Sequence, residues 1–364
     1  MTGSTSTDGS PAAEGQSCYR LDPTRDPRWA RLVATHQKAS VFHSVPWLMS
    51  LERTYGYKSV AFTTSPAGDE LKNGIVFCDV DSWLTGHRLV SLPFSDHCEP
   101  LCNTALERQL LLQHLQSILP DQNWKYIEIR PVTEQLPSVS GELKLVPSST
   151  FFFHSLDLNP DLQTLFRALN RDSVQRRIQR AERAGLIEKT GRSEDLIKDF
   201  YRLYLLTRAR QRVPPAPYAW FKNLAACLDA AAELRVAYSH AKPIAAILTM
   251  RFKNVVYYKY GCSDARFNHF GATPWLFWNA IVSAKSNGAG EFDMGRTEED
   301  NAGLLAFKNH WVPRPKRLIY WRYPSAASPT PGNGWTGKLA KKAGSFVPNS
   351  LLETAGRLMY RHFG

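Results

Sequence analysis

The sequence predicts an α/β (α+β) protein of two tandem lobes, each a mixed, largely antiparallel sheet flanked by helices. Three observations predict it. The chain has 364 residues, 43% of them hydrophobic, which is enough to bury two cores of ordinary domain size. Helix-period and strand-period segments are interleaved along it. In the second half, three strand-like runs joined by short polar turns are followed by a helix and then another strand, the pattern of an antiparallel meander with a crossover. These patterns divide the chain into a tail (1–16), a first lobe (17–150), a second lobe (151–323) and a linker with a basic tail (324–364).

In the first lobe, Trp47, Leu48, Leu51 and Tyr55 recur at helical spacing behind Ser44, a capping residue, with Pro46 in the first turn, so a helix is expected over Ser44–Tyr55. Strands are expected at Ser59–Thr64, Gly74–Val80 and Arg88–Ser91, then a helix at Leu106–Leu119 and a strand at Tyr126–Arg130. The second lobe opens with the aromatic strand Phe151–Leu156. A basic helical stretch, Leu162–Ala184, carries the apolar stripe Leu162, Leu165, Phe166 and Leu169. Asp172 and Gln175 resemble a capping box, which places a break near Asn170.

Helices at Ser193–Arg210 and Tyr218–Ala232 are separated by Pro214-Pro215-Ala216-Pro217. The meander comprises Leu234–Ser239, Ile244–Arg251 and Val255–Cys262. A helix over Pro274–Ser286 stops at Asn287-Gly288, and the strands Glu291–Met294 and Arg317–Arg322 follow. Beyond the Pro/Ser/Gly-rich segment 324–334, Leu351–Phe363 is basic and amphipathic. Such a helix suits peripheral contact with an anionic membrane or docking on its own protein.

Lys and Arg outnumber Asp and Glu by 45 to 33, a net charge of +12 that attracts anionic partners. The six cysteines are scattered with no CxxC pair, which fits a reducing cytoplasm. His97, Cys98 and Cys102 cluster, but a zinc site would have to recruit a fourth ligand such as the distant His43, so no metal is expected. Residues 1–16 have neither a basic nor an apolar region of a signal peptide, and no run is long enough for a membrane-spanning helix. The expected location is cytoplasmic, with membrane-peripheral contact through the tail left open.

Several segments in shared order resemble a known family. Tyr260-Gly-Cys-Ser-Asp264, the helix with Pro274, Trp278, Ala280 and Ala284, Gly290-Glu-Phe-Asp-Met-Gly295 and Phe307-Lys308 are similar to the Fem-type (FemAB/FemX-like) branch of the GNAT acyltransferase superfamily. Phe42-His-Ser-Val-Pro-Trp47, Tyr55-Gly-Tyr57, Leu92-Pro-Phe-Ser-Asp96 and the basic stretch Arg171–Gly185 extend the resemblance over most of residues 40–323. The branch includes aminoacyltransferases of the peptidoglycan bridge and acyltransferases associated with envelope polysaccharides.

The resemblance implies two GNAT-like lobes and transfer of an acyl or aminoacyl group to an amine. The anionic donor would be acyl-coenzyme A or aminoacyl-tRNA, with no tightly bound cofactor. Lys308 would be the cation facing the carbonyl oxygen on which negative charge develops, and Asp293 the carboxylate accepting a proton from the amine. Phe307 would shape the donor site. Tyr260, Arg296, Asn301, Asp96 and Trp47 would contact donor or acceptor, and Arg171 and Arg177 would meet phosphates. Arg266-Phe-Asn-His-Phe-Gly271-Ala272 lies where such enzymes cradle pyrophosphate on backbone amides, but departs from their Arg/Gln-x-x-Gly-x-Gly/Ala spacing. Trp311-Val-Pro313 lacks the glycine that often follows this tryptophan in the family.

Each residue also has a plainer reading: Lys308 as a helix-surface lysine, Asp293 as a carboxylate bonded to local amides, the arginines as a solvated helix face. A non-catalytic RNA-binding or scaffold protein that keeps the fold is the alternative function.

Overall fold

The computed structural model describes residues 17–132, 145–324 and 360–362. The first half runs β1 (Tyr19–Leu21), α1 (Pro27–Thr35), α2 (Val45–Tyr55), β2 (Lys58–Thr63), β3 (Ile75–Val80), β4 (Arg88–Val90), α3 (Ala105–Ile118) and β5 (Ile127–Ile129). Its helices start where polar side chains reach back to free amides. Asp26 accepts from the Arg28 amide, Ser44 from Trp47, and Thr104 and Glu107 form a reciprocal capping box. α2 stops at Gly56, which adopts φ 73°, a conformation open to a residue without Cβ.

The second half contains β6 (Val146–Asp157), α4 (Leu162–Ala168), a π-helical turn (Arg171–Gln175), α5 (Arg176–Arg183), β7 (Ile187–Gly191), α6 (Glu194–Gln211) and α7 (Tyr218–Leu228). It continues with β8 (Ala232–Ser239), β9 (Lys242–Phe252), β10 (Val255–Ser263), α8 (Ala272–Ser286), β11 (Glu291–Glu298), α9 (Ala302–Asn309) and β12 (Lys316–Tyr323).

The twelve strands among the described residues belong to one sheet, in the order β1-β2-β3-β4-β5-β12-β6-β11-β10-β9-β8-β7. The halves repeat a theme. In each, an antiparallel meander (β2-β3-β4, β8-β9-β10) is followed by a helix (α3, α8) and a strand parallel to the meander's last (β5 to β4, β11 to β10). β12 is the seam, antiparallel to β5 on one side and β6 on the other.

The expected break near Asn170 is present, with a different cap. The Asn170 side chain accepts from the Ser173 amide at 2.9 Å, while Asp172 pairs with Arg176 on the exposed face at 2.6 Å. The expected strand Phe151–Leu156 is the middle of a longer strand that begins at Val146, so residue 150 falls within β6. Residues 229–231 form a 3-10 turn and Ala232 already belongs to β8, which shortens the helix expected to reach Ala232. β1, α1 and β7 lie outside the sequence expectations. β7 is mostly exposed, Ile187 included at 61%, so no buried alternation marks it. Of the basic tail, 325–359 and 363–364 lie outside the described residues, and Tyr360–His362 contact the folded body.

Across the seam lies a buried ion cluster. Glu128 of β5 accepts from Arg130 at 2.8 Å and from Arg322 of β12 at 2.7 Å, and Arg130 also donates to the Leu92 carbonyl at 2.8 Å. Burial alone would raise the Glu128 carboxyl; the two guanidiniums hold it below the ordinary range. Glu128→Gln leaves two buried guanidiniums without their carboxylate, so urea unfolding is expected to show a loss of about 3–5 kcal/mol. A loss below about 1 kcal/mol would mean the cluster does not hold the seam.

Candidate active site

β10 and β11 are hydrogen-bonded neighbours over only three pairs, ending at Tyr257 and Asp293, and then part. Each strand carries an irregularity at that point. β10 bulges against β9 between Tyr258 and Tyr260, and β11 bulges against β6 between Asp293 and Arg296. Bulges bend strands and increase their twist, so the paired defects open a wedge in the sheet. Gly295 lies at the bulge with φ 69°, and a Cβ there would stand 3.1 Å from the Asp96 carboxylate.

Asp96 comes from the first half, in the connection 91–104 between β4 and α3. In the second half the matching connection, 264–271 between β10 and α8, precedes the α8 N-terminus. The first-half connection is strained, with Leu92 at φ 51° and Phe94 at φ 61°. Its carboxylate meets the Lys259 ammonium at 2.7 Å and has the Arg296 guanidinium at 3.8 Å, and the Tyr320 hydroxyl donates to the Asp96 carbonyl at 2.7 Å. Burial opposes ionisation of Asp96, and Lys259 and Arg296 overcome it, holding the carboxyl below its usual range. Arg296 also lies over the rings of Phe151 (4.3 Å) and Tyr320 (5.2 Å).

Asp293 is 3% exposed, its carboxylate accepting from the Gly295 amide at 2.6 Å and lying 2.9 Å from His97 Nε2. The plainer reading of Asp293 therefore holds for one oxygen, while the other engages a histidine from the opposite half. His97 Nδ1 is buried and has no partner among the described residues.

Lys308 is not a surface lysine. It is 2% exposed, and its ammonium donates to the carbonyls of Gly295 (3.0 Å) and Arg296 (2.8 Å), fastening α9 to the bulge. Burial pulls its pKa down to about 8, with Asp96 and Asp293 opposing the shift.

A second feature faces the N-terminus of α8. A cleft of about 190 Å³ is lined by Arg177, Ser263, Asn268, Gly271, Thr273 and Phe307, among others. α8 begins at Gly271 (φ 78°) without a side-chain cap, so its first amides are left for an external acceptor. A Cβ on Gly271 would collide with the Arg177 carbonyl, so glycine is what lets α5 approach. The preceding residues Ala265–Phe270 form a 3-10 helix, a physical counterpart of their departure from the usual glycine-rich spacing.

The structure thus gathers the sequence candidates into two neighbouring groups and leaves others apart. Lys308, Asp293, Asp96 and Arg296 share the wedge, and Arg177, Gly271 and Phe307 share the cleft. Trp47 is fully buried, with Lys259 5.9 Å from its ring, and the Tyr260 hydroxyl accepts from Trp220 at 2.8 Å, so both belong to the aromatic packing beside the wedge. Arg266 is 70% exposed and folds back on Asp264 at 2.6 Å. Asn301 caps α9 by accepting from the Leu304 amide at 3.2 Å. Arg171 is exposed in the π-helical turn, outside the cleft lining.

Lys259 and the role of His97 beside Asp293 are additions that only the fold supplies. Lys259 sits in the aromatic run Tyr257-Tyr258-Lys259-Tyr260, where a lysine in a buried strand is the one available signal. Among the described residues no three His, Cys, Asp or Glu side chains are placed to hold a metal ion. His43 and Cys98 do meet at 3.3 Å, but burial lowers the imidazole to about 4 and raises the thiol to about 12, so both stay neutral. No helix among the described residues is long and apolar enough to cross a membrane.

With this geometry established, comparison with known proteins places the fold. Residues 169–309, from the end of α4 to the end of α9, match the family model described as an acetyltransferase (GNAT) domain. The chain is similar to the crystal structure of FemX, with TM-score 0.66 and 14% identity over 84% of this chain and 97% of that one. It is also similar to L-PGS from Bacillus licheniformis (TM-score 0.54, 14% identity, 91% and 97%). A tandem GNAT protein from the clavulanic acid biosynthesis pathway matches with TM-score 0.52 and 11% identity over 86% and 99%. A search of curated proteins found no match. The chain has a Fem-type, tandem GNAT-like fold. Its second half contains the segment that the acetyltransferase (GNAT) domain model matches.

The Lys308 environment makes a measurable prediction. The folded chain releases this proton near pH 8 and the unfolded chain near 10.5, so between those values the unfolded state binds more protons and stability rises with pH. Urea unfolding at pH 8 and pH 10 should show this rise in the native chain and its loss in Lys308→Met. The same slope in both proteins would contradict the assignment.

Proposed function

We propose that this chain is an N-acyltransferase that moves an acyl group from a thioester donor of the acyl-coenzyme A class to an amine acceptor. The observation that carries the reading is the uncapped α8 N-terminus facing a cleft with Arg177, directly beside a wedge between two parallel strands. Free first-turn amides and a guanidinium suit a pyrophosphate. Phe307, on the cleft wall one residue before Lys308, connects the two places.

In the wedge, β10 loses β11 as a neighbour after Tyr257, so amides on that side are free to bond a donor's backbone-like arm or its carbonyl oxygen. The amine's lone pair attacks the thioester carbon, the C–N bond forms, the C–S bond breaks and the thiolate leaves. The proton lost by nitrogen needs an acceptor. With its Nε2–H donated in a hydrogen bond to Asp293, His97 keeps an Nδ1 lone pair that can take this proton, so Asp293 acts through His97. Lys308 holds the Gly295 and Arg296 carbonyls and adds positive charge behind the bulge, where it favours a developing oxyanion.

An aminoacyl-tRNA donor draws less support. Of the basic stretch, Arg176 is paired with Asp172 and an Arg180 donor is taken by the His269 carbonyl, which leaves fewer guanidinium donors for a polynucleotide's phosphates. An amine on a cell-envelope, polysaccharide or natural-product precursor is the acceptor class suggested by the Fem-type fold. A cytoplasmic site of action is part of this proposal.

Mass spectrometry of the protein incubated with acyl-coenzyme A and charged-tRNA pools over mixed amines tests the reading. The native chain is expected to form an amide from a thioester. Lys308→Ala is expected to lower turnover by about 100-fold, and Arg177→Ala to weaken coenzyme A binding by about tenfold. Full activity in Lys308→Ala would overturn the role of Lys308. No turnover of any donor, with RNA binding that falls steeply with salt, would favour a non-catalytic binder.

A further inference from the structure

Beside the wedge, on the side of the first-half loop, the body forms an aromatic chamber occupied by the chain's own C-terminal segment. The Tyr360 ring lies 5.4 Å from Phe94 and 6.4 Å from Tyr55, stacked on both, and Tyr55 and Phe94 each also pack on Trp220. The chamber adjoins the chemistry at two points. Phe94 is two residues from Asp96, and Trp220 donates to the hydroxyl of Tyr260, whose ring lies 5.9 Å from the Lys259 ammonium. The Tyr360 ring therefore packs on the loop that carries Asp96, and Trp220 and Tyr260 link the chamber to Lys259.

The polar end of the chamber is incomplete. Arg208 of α6 donates to the Tyr360 hydroxyl at 2.9 Å and lies over the Tyr204 ring at 5.3 Å. Its Nη1 reaches the Gln211 side chain at 3.5 Å, no acidic group among the described residues pairs with it, and its Nε is buried without a partner. The Tyr55 hydroxyl and Trp47 Nε1 nearby are also buried without partners. A phenol is a neutral acceptor for a guanidinium; a carboxylate or phosphate in its place gains charge-assisted bonds that tyrosine does not offer.

The segment's remaining anchors centre on His362, which is 5% exposed, and apart from Arg88 their partners are neutral groups. The Arg361 carbonyl accepts from Tyr57 at 2.7 Å, and the His362 carbonyl from Thr85 at 3.1 Å and Arg88 at 3.2 Å. The His362 ring meets Ser82 at 3.0 Å and Trp83 at 3.1 Å.

We propose that this chamber is the acceptor's binding site, that it takes an aromatic amine carrying an anionic group directed at Arg208, and that Tyr360 occupies it as an exchangeable stand-in. The inference deepens the transferase reading by naming an acceptor class and rests on it for the word acceptor. The binding event itself needs no donor and no turnover, so the two fail separately.

The test uses 4-aminobenzoate, which has a single ring, an amine and a carboxylate, titrated calorimetrically into the full chain and into a chain lacking its last five residues. The shortened protein is expected to bind at least about tenfold more tightly, because the competing segment is gone. Arg208→Gln in the shortened chain is expected to reverse that gain by about tenfold or more. If the shortened chain does not fold, Tyr360→Ala in the full-length protein takes its place. Equal affinity in the two forms, or no binding after removal of the segment, would overturn the proposal. Unchanged affinity in Arg208→Gln would overturn the anionic component.

Discussion

The buried contact between Asp96 and Lys259 is the constraint on which the rest of the site depends. Two opposite charges removed from water are tolerated only when each satisfies the other and its remaining bonds. Here the carboxylate belongs to the first half and the ammonium to the second, so the pair forms only if a first-half loop enters the parted strands of the second. That loop is bent through two left-handed non-glycine residues, and such strain persists only where surrounding contacts over-determine it. Arg130 does so by holding the Leu92 carbonyl, and is itself fixed by Glu128, which also binds Arg322 on the seam strand.

From this constraint follows a composite site. The repeat of meander, helix and parallel strand gives each half a connection at the same place in its topology. The second-half connection precedes the uncapped start of α8, and the first-half connection fills the wedge with a carboxylate. One copy of the motif thus keeps a helix end open and the other supplies side chains. Glycine suits position 295 because its φ is 69° and a Cβ there would press on the Asp96 carboxylate at 3.1 Å, and Lys308 ties the displaced carbonyls of the bulge to α9. The basic wedge residues Lys259, Arg296 and Lys308 outnumber Asp96 and Asp293, which leaves a positive site suited to negative charge that develops during reaction.

Much of this was legible in the sequence, for identifiable reasons. The meander was readable because its turns are short and its runs apolar, and α2 because Ser44, Pro46 and Gly56 mark both ends. Lys308, Asp293 and Asp96 stood out by resemblance, and the fold brings all three into one wedge. What sequence periodicity does not encode is pairing between distant segments. The length of β11 was underestimated because its bulge breaks the alternation at Gly295. The continuity of β6 through residue 150, and the insertion of β12 between the halves, depend on long-range register. The Lys259–Asp96 and His97–Asp293 contacts were invisible for the same reason, since the partners lie 163 and 196 positions apart in the chain. Asn301 and Asp264 are short polar side chains beside helix starts and satisfy local amides first, and Arg266 folds back onto Asp264.

The central claim is that a carboxylate of the first half maintains the open wedge of the second. Hydrogen exchange read by mass spectrometry on Asp96→Ala against the native chain tests it without any substrate. The account predicts faster exchange both in residues 92–98 and in residues 294–298, with the β8–β9 hairpin unchanged. Faster exchange confined to 92–98, with 294–298 as protected as in the native chain, would contradict it.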